Sequence, residues 1–302
     1  MLLNLSDRAK FKVTGQDRAR FLNGQLTNDI LTLRTGTAIG ACALTAKGKL
    51  CADLFVAAAH ESNYLDAEPI LRESLAARLE KYIIADDVAL EDVTDQFGLF
   101  HLVDPPSSDT GSPASAPVLS AEIKAIFFAS NRFGVPGLDL WFPAAQASLV
   151  LEELPDAPID PVAAENLRIE QGIPRWGHEL SEEVIPNEAG LDQRAISYTK
   201  GCYLGQEVIS RIKSVGHVNR HLRGLLPEDG IAIGVGDKLF ADSESTREIG
   251  FITSIARSRT AEQMIALGYI RRGFDAPGSI LQVRRNNTLI GLVEVRSLPF
   301  TA

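Results

Sequence analysis

The chain has 302 residues, 45% of them hydrophobic and 23% charged, so it can form two or three domains with cores that need no disulfide or metal. Its formal net charge of −9 argues against broad, sequence-independent DNA binding, which requires a basic surface, but allows a local basic pocket for an anion. Three cysteines without a C-x-x-C pair argue against a cysteine-held zinc or iron–sulfur site and are typical of reduced thiols.

The start of the sequence has neither the charged and apolar regions of a signal peptide nor the Arg-rich composition of a transit segment. No stretch approaches the roughly 20 apolar residues that span a bilayer. We therefore expect a cytoplasmic protein with no nucleic-acid or membrane partner.

The first 100 residues predict a mixture of strands and helices. Residues 11–13 alternate as a strand, and residues 14–17 fit a capping box at the start of a short helix. Residues 37–57 predict two strands around a turn at 46–48. The second strand carries four apolar residues on one face: Leu50, Ala52, Leu54 and Val56. A helical stripe follows, made of Leu71, Leu75, Leu79, Tyr82 and Ile83.

The second hundred residues begin with a Pro-, Ser- and Gly-rich stretch at 104–120 that predicts an exposed, mobile loop. Strands near 122–129 and 138–142 and a helix near 144–154 come next. Asp160-Pro161 then has the pattern of an N-cap followed by the first helical residue, and Gly172 marks the end of that helix.

From about residue 221 onward, short apolar segments alternate with polar or Gly-rich turns. They lie near residues 221–226, 248–258, 263–270, 279–284 and 289–296. No strong helical stripe appears among them. This region therefore predicts a small all-β barrel or sandwich, and the chain as a whole predicts an α+β fold followed by a β domain.

Two side chains between residues 165 and 220 are candidates for function. Cys202 lies between two glycines and just before a predicted helix at 206–213, with Lys200 nearby, and both features favour a thiolate. A small buried cysteine in a turn is the alternative, and spacing alone favours it, because no histidine is placed beside the sulfur. Glu170 ends a predicted helix, where its charge faces the negative pole of the dipole, although a solvated surface glutamate has the same pattern.

Residues 200–207 read Lys-Gly-Cys-Tyr-Leu-Gly-Gln-Glu, which resembles the K-G-C-[YF]-x-G-Q-E signature of the YgfZ folate-binding family. The run at 15–30, Gly-Gln-Asp-Arg-Ala-Arg-Phe-Leu-Asn-Gly-Gln-Leu-Thr-Asn-Asp-Ile, and the stretch from Gly172 to Asp192 are also similar to that family. The family belongs to the glycine-cleavage T-protein (aminomethyltransferase) superfamily. The resemblance covers the first 55 residues and most of 165–220. The C-terminal strands agree with the family only in their general pattern of short strands and turns.

The resemblance implies a three-domain T-protein-like fold around a central channel that receives tetrahydrofolate or another folate. Residues 1–48 and 158–218 would form a discontinuous folate-binding domain 1. Residues 49–157 would form an inserted α+β domain 2, and residues 219–302 a C-terminal β-barrel domain.

The resemblance also implies site residues. Glu170 aligns with the T-protein glutamate that holds the pterin, and a carboxylate can accept two parallel hydrogen bonds from the 2-amino group and ring N–H. Cys202 would lie near the channel mouth as a candidate functional thiol. Further candidate folate contacts are Asn28, Lys200, Tyr203 and Gln206.

The early strand departs from the T-protein pattern, in which an acidic pair precedes a leucine. The matching residues here are Ala52 and Asp53, so only Asp53 remains as a catalytic acid for aminomethyl transfer. The T-protein branch in turn lacks the cysteine signature. This departure favours an accessory role over aminomethyltransferase activity.

The resemblance, together with the departure from the T-protein pattern, leaves three functional hypotheses. The leading one is a tetrahydrofolate-binding accessory protein that supports assembly or repair of iron–sulfur clusters, with iron–sulfur client enzymes or assembly proteins as partners. The first alternative is a folate-dependent aminomethyl or one-carbon transferase that uses Asp53. The second alternative is an interaction scaffold without a ligand.

Overall fold

The computed structural model describes residues 1–103, 116–258 and 263–300. Its residue contacts divide the chain into two compact units. Unit 1 comprises Met1–Ile159 and Asp192–Val208, and unit 2 comprises Asp160–Leu191 and Ile209–Ala302. Each unit is therefore assembled from two separate stretches of the chain.

Unit 1 contains an antiparallel sheet of five strands among its described residues. In chain order these are β2 (Ala9–Thr14), β3 (Ala38–Leu44), β4 (Leu50–Ala58), β5 (Asn63–Ala67) and β6 (Ala89–Asp92). Their order across the sheet is β3-β4-β5-β2-β6. The predicted strand pair at 37–57 is confirmed as β3 and β4, and the predicted apolar face of β4 is buried. Because strand residues alternate, Cys51, Asp53 and Phe55 project from the opposite face of β4.

A second sheet of unit 1 has the order β1-β7-β9-β8 in the described residues. Its strands are β1 (Leu2–Asn4), β7 (Phe97–Val103), β8 (Ile126–Ser130) and β9 (Gly137–Pro143). Trp141, Phe128 and Leu99 are fully buried in one core cluster, which also holds Tyr64 of β5. Aromatic packing thus ties the two sheets of unit 1 together.

Three short helices accompany these sheets in unit 1: α1 (Arg18–Gln25), α2 (Arg72–Glu80) and α3 (Ala147–Glu153). The predicted stripe is confirmed in part, because Leu71, Leu75 and Leu79 are buried. The predicted capping box at 14–17 is wrong. Thr14 is the last residue of β2, and the Asp17 carboxylate accepts hydrogen bonds from the Asp87 amide and from Arg20 and does not cap α1.

Unit 2 contains the predicted β barrel, which is closed by strands of its described residues in the order β10-β13-β12-β11-β14-β15. The strands are β10 (Arg220–Pro227), β11 (Lys238–Phe240), β12 (Gly250–Arg257), β13 (Met264–Arg271), β14 (Ile280–Arg285) and β15 (Thr288–Arg296). All but β11 were predicted from the sequence. The barrel is filled by buried aliphatic side chains, among them Leu225, Leu239, Ile252, Val283 and Val293.

Helix α4 (Pro161–Glu170) packs against β12 and β13 of the barrel. Its predicted start is confirmed, since Asp160 Oδ1 accepts hydrogen bonds from the amides of Val162 and Ala163 at 2.8 and 2.9 Å. Helix α5 (Gln206–Ser214) confirms the helix predicted after the signature.

The three-domain division remains a prediction. Its boundary between residues 48 and 49 falls in the turn between β3 and β4, which are hydrogen-bonded neighbours in one sheet. Most of the stretch predicted as a mobile loop, residues 104–115, lies outside the described residues. No helix in the described part of the chain is long and apolar enough to cross a membrane.

Candidate functional site

Asp53 stands on the polar face of the first sheet. It is paired with Cys42 of β3 in the register, so both side chains lie on the same face. Its Oδ1 atom is buried and has no hydrogen-bond partner among the residues that the structure describes. An orphaned buried carboxylate oxygen is costly, and such atoms concentrate where a ligand completes the hydrogen bonding.

Burial raises the pKa of Asp53 from its ordinary value near 4 to about 6. Arg8 opposes this shift with its positive charge, whereas the like charges of Glu68 and Asp66 reinforce it. A carboxyl group with a pKa of about 6 exchanges its proton near neutral pH. That property suits a general acid or base.

A buried ion-pair network lies on the same polar face. Arg8 donates to Asp66, and also to Glu68 at 2.8 Å. Arg132 donates to Asp66 at 2.5 and 2.9 Å, and its guanidinium stacks on the Phe55 ring with 4.1 Å to the ring centroid. The two arginines therefore hold the Asp66 carboxylate between them.

The network continues to a buried histidine. Asp139 accepts from Arg132 Nε at 2.7 Å and contacts His101 Nδ1 at 2.7 Å. Burial alone would raise the pKa of Asp139, but Arg132 and then His101 hold it well below its usual range. These contacts favour the ionised form of Asp139. The sequence pattern did not reveal this network, although the fully buried strand β5 contains an aspartate, Asp66, which was a possible signal.

Lys200 has a structural role in this conformation. Its Nζ atom donates to the carbonyl oxygens of Asn23, Leu26 and Asn28 at 2.6, 2.7 and 2.8 Å, which occupies all three ammonium donors. Burial lowers the pKa of Lys200 to about 8. The lysine thereby fastens the signature segment to the end of α1, and its donors are not directed to a ligand.

Asn28 and Tyr203 lie beside Lys200. The Asn28 amide donates to the Gly40 carbonyl at 2.8 Å, and its oxygen accepts from the Asp29 amide at 2.9 Å. The buried Tyr203 ring lies 5.1 Å from Lys200 Nζ, and burial raises the tyrosine pKa to about 12. The structure thus brings three of the predicted folate contacts together, but in a hydrogen-bonded scaffold that positions the loop after residue 200.

Cys202 and Gln206 belong to that loop. Cys202 is exposed, which differs from the alternative of a small buried turn residue. Gly205 has a φ of +87°, and a Cβ atom there would lie 2.5 Å from the Thr45 carbonyl oxygen. Only glycine fits this position without strain, so the loop is held tightly against Thr45 while the thiol remains accessible. Gln206 is the first residue of α5 and is partly buried.

Glu170 is the predicted site residue in unit 2. It is buried at the end of α4, where its Oε1 accepts a hydrogen bond from Ser258 Oγ at 2.7 Å. The interpretation as a solvated surface glutamate is therefore wrong for this conformation. A second buried carboxylate, that of Glu179, accepts from Arg168 at 3.0 Å and from Ser254 at 2.6 Å and links the segment after α4 to the barrel.

Comparisons with known proteins identify both ends of the chain. Residues 1–141 match the GCVT N-terminal domain, and residues 220–301 match the glycine cleavage T-protein C-terminal barrel domain. The chain belongs to the glycine cleavage T-protein superfamily. This finding supports the resemblance drawn from the sequence at the superfamily level.

Related proteins agree with this placement. A chloroplastic protein of Arabidopsis thaliana whose name assigns it to the transferases is 29% identical and covers 94% of this chain and 68% of its own length. An aminomethyltransferase of Chlorobium phaeobacteroides is 27% identical over 99% of this chain and 86% of its own. The crystal structure of the glycine cleavage system aminomethyltransferase T of Bartonella henselae matches with a TM-score of 0.84. It covers 99% of this chain and 86% of that chain at 22% identity, a likeness of fold alone, and it confirms the predicted T-protein-like fold.

Proposed function

We propose that the chain binds tetrahydrofolate and acts as a one-carbon transferase of the aminomethyl type. The observation that carries the proposal is the state of Asp53, a carboxyl group with a pKa of about 6 and a buried oxygen that has no partner among the described residues. Membership of the superfamily and relatives named aminomethyltransferase support the same reaction class.

The described residues fit a folate chemically. The Oδ1 atom of Asp53, which has no hydrogen-bond partner among the described residues, can accept an N–H donor. When bound, tetrahydrofolate supplies a ring nitrogen that accepts the one-carbon group. Asp53 would take up or release a proton at Oδ1 as that nitrogen changes its bonding. The resemblance assigns pterin binding to Glu170, whose Oε1 atom accepts a hydrogen bond from Ser258 in unit 2.

Turnover tests this function. We expect the protein, incubated anaerobically with tetrahydrofolate and an S-aminomethyl thiol, to form methylene-tetrahydrofolate, followed through a coupled NADP-dependent dehydrogenase. Asp53→Asn should lower the rate by about 100-fold or more, because the amide cannot exchange the proton. Asp229→Asn, at an exposed position in unit 2, is the matched control and should keep the full rate. Absence of product with the unaltered protein would reject the transferase.

A second candidate is the accessory role in iron–sulfur cluster assembly or repair that the YgfZ-type signature implies. The observation in its favour is the exposed Cys202 thiol, presented by a loop that Gly205 and Lys200 hold in place. Here Cys202→Ser should leave folate binding intact and lower the activity of iron–sulfur client enzymes in cells, such as a radical methylthiotransferase. Full client activity in that variant, beside normal methylene-tetrahydrofolate formation, would decide for the transferase.

A further inference from the structure

The polar face of the first sheet aligns a row of charged side chains across three strands. Leu54 of β4 is paired with Ala67 of β5, and Ala67 is also paired with Ala9 of β2. Asp53, Glu68 and Arg8 each lie one residue beyond these pairs. Because antiparallel neighbours directly opposite each other share a face, the three side chains lie side by side on the face away from the apolar core.

Arg8 forms its ion pairs with two other carboxylates on this face. It donates to Glu68 at 2.8 Å and to the neighbouring Asp66, while Asp53 Oδ1 has no hydrogen-bond partner in the part of the chain that the structure describes. The side chains of Arg8 and Glu68 are 12% and 21% exposed, so water screens their interaction only in part. Arg8 thus forms its ion pair with Glu68 beside Asp53.

The charges on this face do not balance. Three cations, Arg8, Arg132 and Lys10, face four carboxyl groups, namely those of Asp53, Asp66, Glu68 and Asp139, and the two arginines form ion pairs with three of these. Lys10 lies opposite Asp66, and its ammonium donates to the carbonyl oxygens of Ser6 and Arg8. Two close carboxyl groups that share too little positive charge do not both ionise easily. The group without an arginine partner is the one that retains the proton, and that group is Asp53.

We propose that Asp53 and Glu68 form a carboxyl pair in which Arg8 binds Glu68 and leaves Asp53 as the proton-exchanging member. Glu68 is then a positioning residue that acts through Asp53. It supplies the second acidic group of the T-protein pattern, whose position in the strand is occupied here by Ala52. The role of the pair in catalysis depends on the proposed one-carbon transfer, whereas the pair itself does not.

The proton step at the pair is simple. As the ligand nitrogen loses its proton, the N–H bond breaks, its electron pair stays on nitrogen, and an O–H bond forms at Asp53 Oδ1. The other titratable groups that face Asp53 are Cys42, whose pKa burial raises far above neutrality, and Asp66, which both arginines hold.

A carboxyl 13C NMR titration of the intact protein labelled at Asp and Glu tests the pair without any folate. The Asp53 signal is assigned by its loss in Asp53→Asn. In Glu68→Gln, an isostere that can still accept from Arg8, the Asp53 midpoint should fall by at least about half a pH unit, because the like charge is gone. In Glu73→Gln, at an exposed position of α2, the midpoint should not move.

The variant Arg8→Gln should shift the Asp53 midpoint in the opposite direction. Loss of the cation should raise this midpoint, because the positive charge of Arg8 favours the ionised form of Asp53. An unchanged midpoint in Glu68→Gln would overturn the pair. Because the titration uses no substrate, a normal midpoint shift in a protein that forms no methylene-tetrahydrofolate would uphold the pair and reject only the transferase.

Discussion

At the scale of single residues, the raised pKa of Asp53 suits proton exchange near neutral pH but lowers the free energy of unfolding there. The folded protein favours its protonated form, because its pKa of about 6 lies above the ordinary value near 4. The unfolded chain therefore ionises first as the pH rises. The native state then loses stability between about pH 4 and pH 6, and above that range the loss is complete.

Asp53→Asn should accordingly stabilise the protein at neutral pH. The amide resembles the neutral acid, so the free energy of unfolding should rise by about 1–3 kcal/mol at pH 7.5. The difference from the unaltered protein should shrink toward zero near pH 4. Thermal melts at both pH values measure this, with Asp229→Asn as the control. Equal melting temperatures for Asp53→Asn and the unaltered protein at pH 7.5 would contradict the raised pKa.

Glu170 and Lys200 are buried groups of opposite charge that the structure holds in different ways. Each lies in a position where its sequence neighbours alone predict only a helix end or a turn. The Lys200 ammonium is satisfied by three carbonyl oxygens of its own unit, so its charge serves folding. The Glu170 carboxylate accepts a hydrogen bond from Ser258 at Oε1, and its role in binding a pterin remains a prediction.

At the scale of elements, the signature segment is the part whose sequence and structure agree most closely. The turn predicted before the helix is present, α5 begins at Gln206 as predicted, and Gly205 adopts the left-handed backbone that the turn requires. A tight loop between Lys200 and α5 follows from these contacts.

The two glycines of the signature make a matched pair for testing this loop. Gly205→Ala should lower the free energy of unfolding by about 1–3 kcal/mol, since its φ is +87° and the new Cβ would meet the Thr45 carbonyl. Gly201→Ala should change it little, because a Cβ there meets nothing within 4 Å. Urea unfolding of both variants checks the difference. Equal stability losses would show that the loop is not held as described.

The elements also show where sequence patterns failed. Strand β11 was not predicted, because a strand of residues 238–240 is too short to show alternation. The capping box failed because Asp17 bonds the Asp87 amide, a partner 70 positions away that no local pattern contains. Periodicity reports local structure, and both errors arise from contacts or lengths beyond its range.

At the scale of the whole molecule, the sequence predicted the α+β fold, the C-terminal barrel and the T-protein likeness, and these are confirmed. Asp53 and Glu170 were singled out only through the resemblance to the T-protein pattern, and their roles remain predictions. The network around Asp53 could not be predicted, because Arg132 bonds Asp66 across 66 residues and Arg8 bonds Glu68 across 60. Such pairs are set by sheet register, which a single sequence does not specify.

Tetrahydrofolate binding is common to the proposed transferase and its alternative, and an anaerobic calorimetric titration measures it directly. We expect saturable binding to the unaltered protein and a dissociation constant at least about 10-fold higher for Glu170→Ala, which loses a hydrogen-bonded carboxylate contact. Glu244→Ala, at an exposed position in unit 2, should bind as the unaltered protein does. No heat of binding with the unaltered protein would contradict the folate account and leave a T-protein fold with another use.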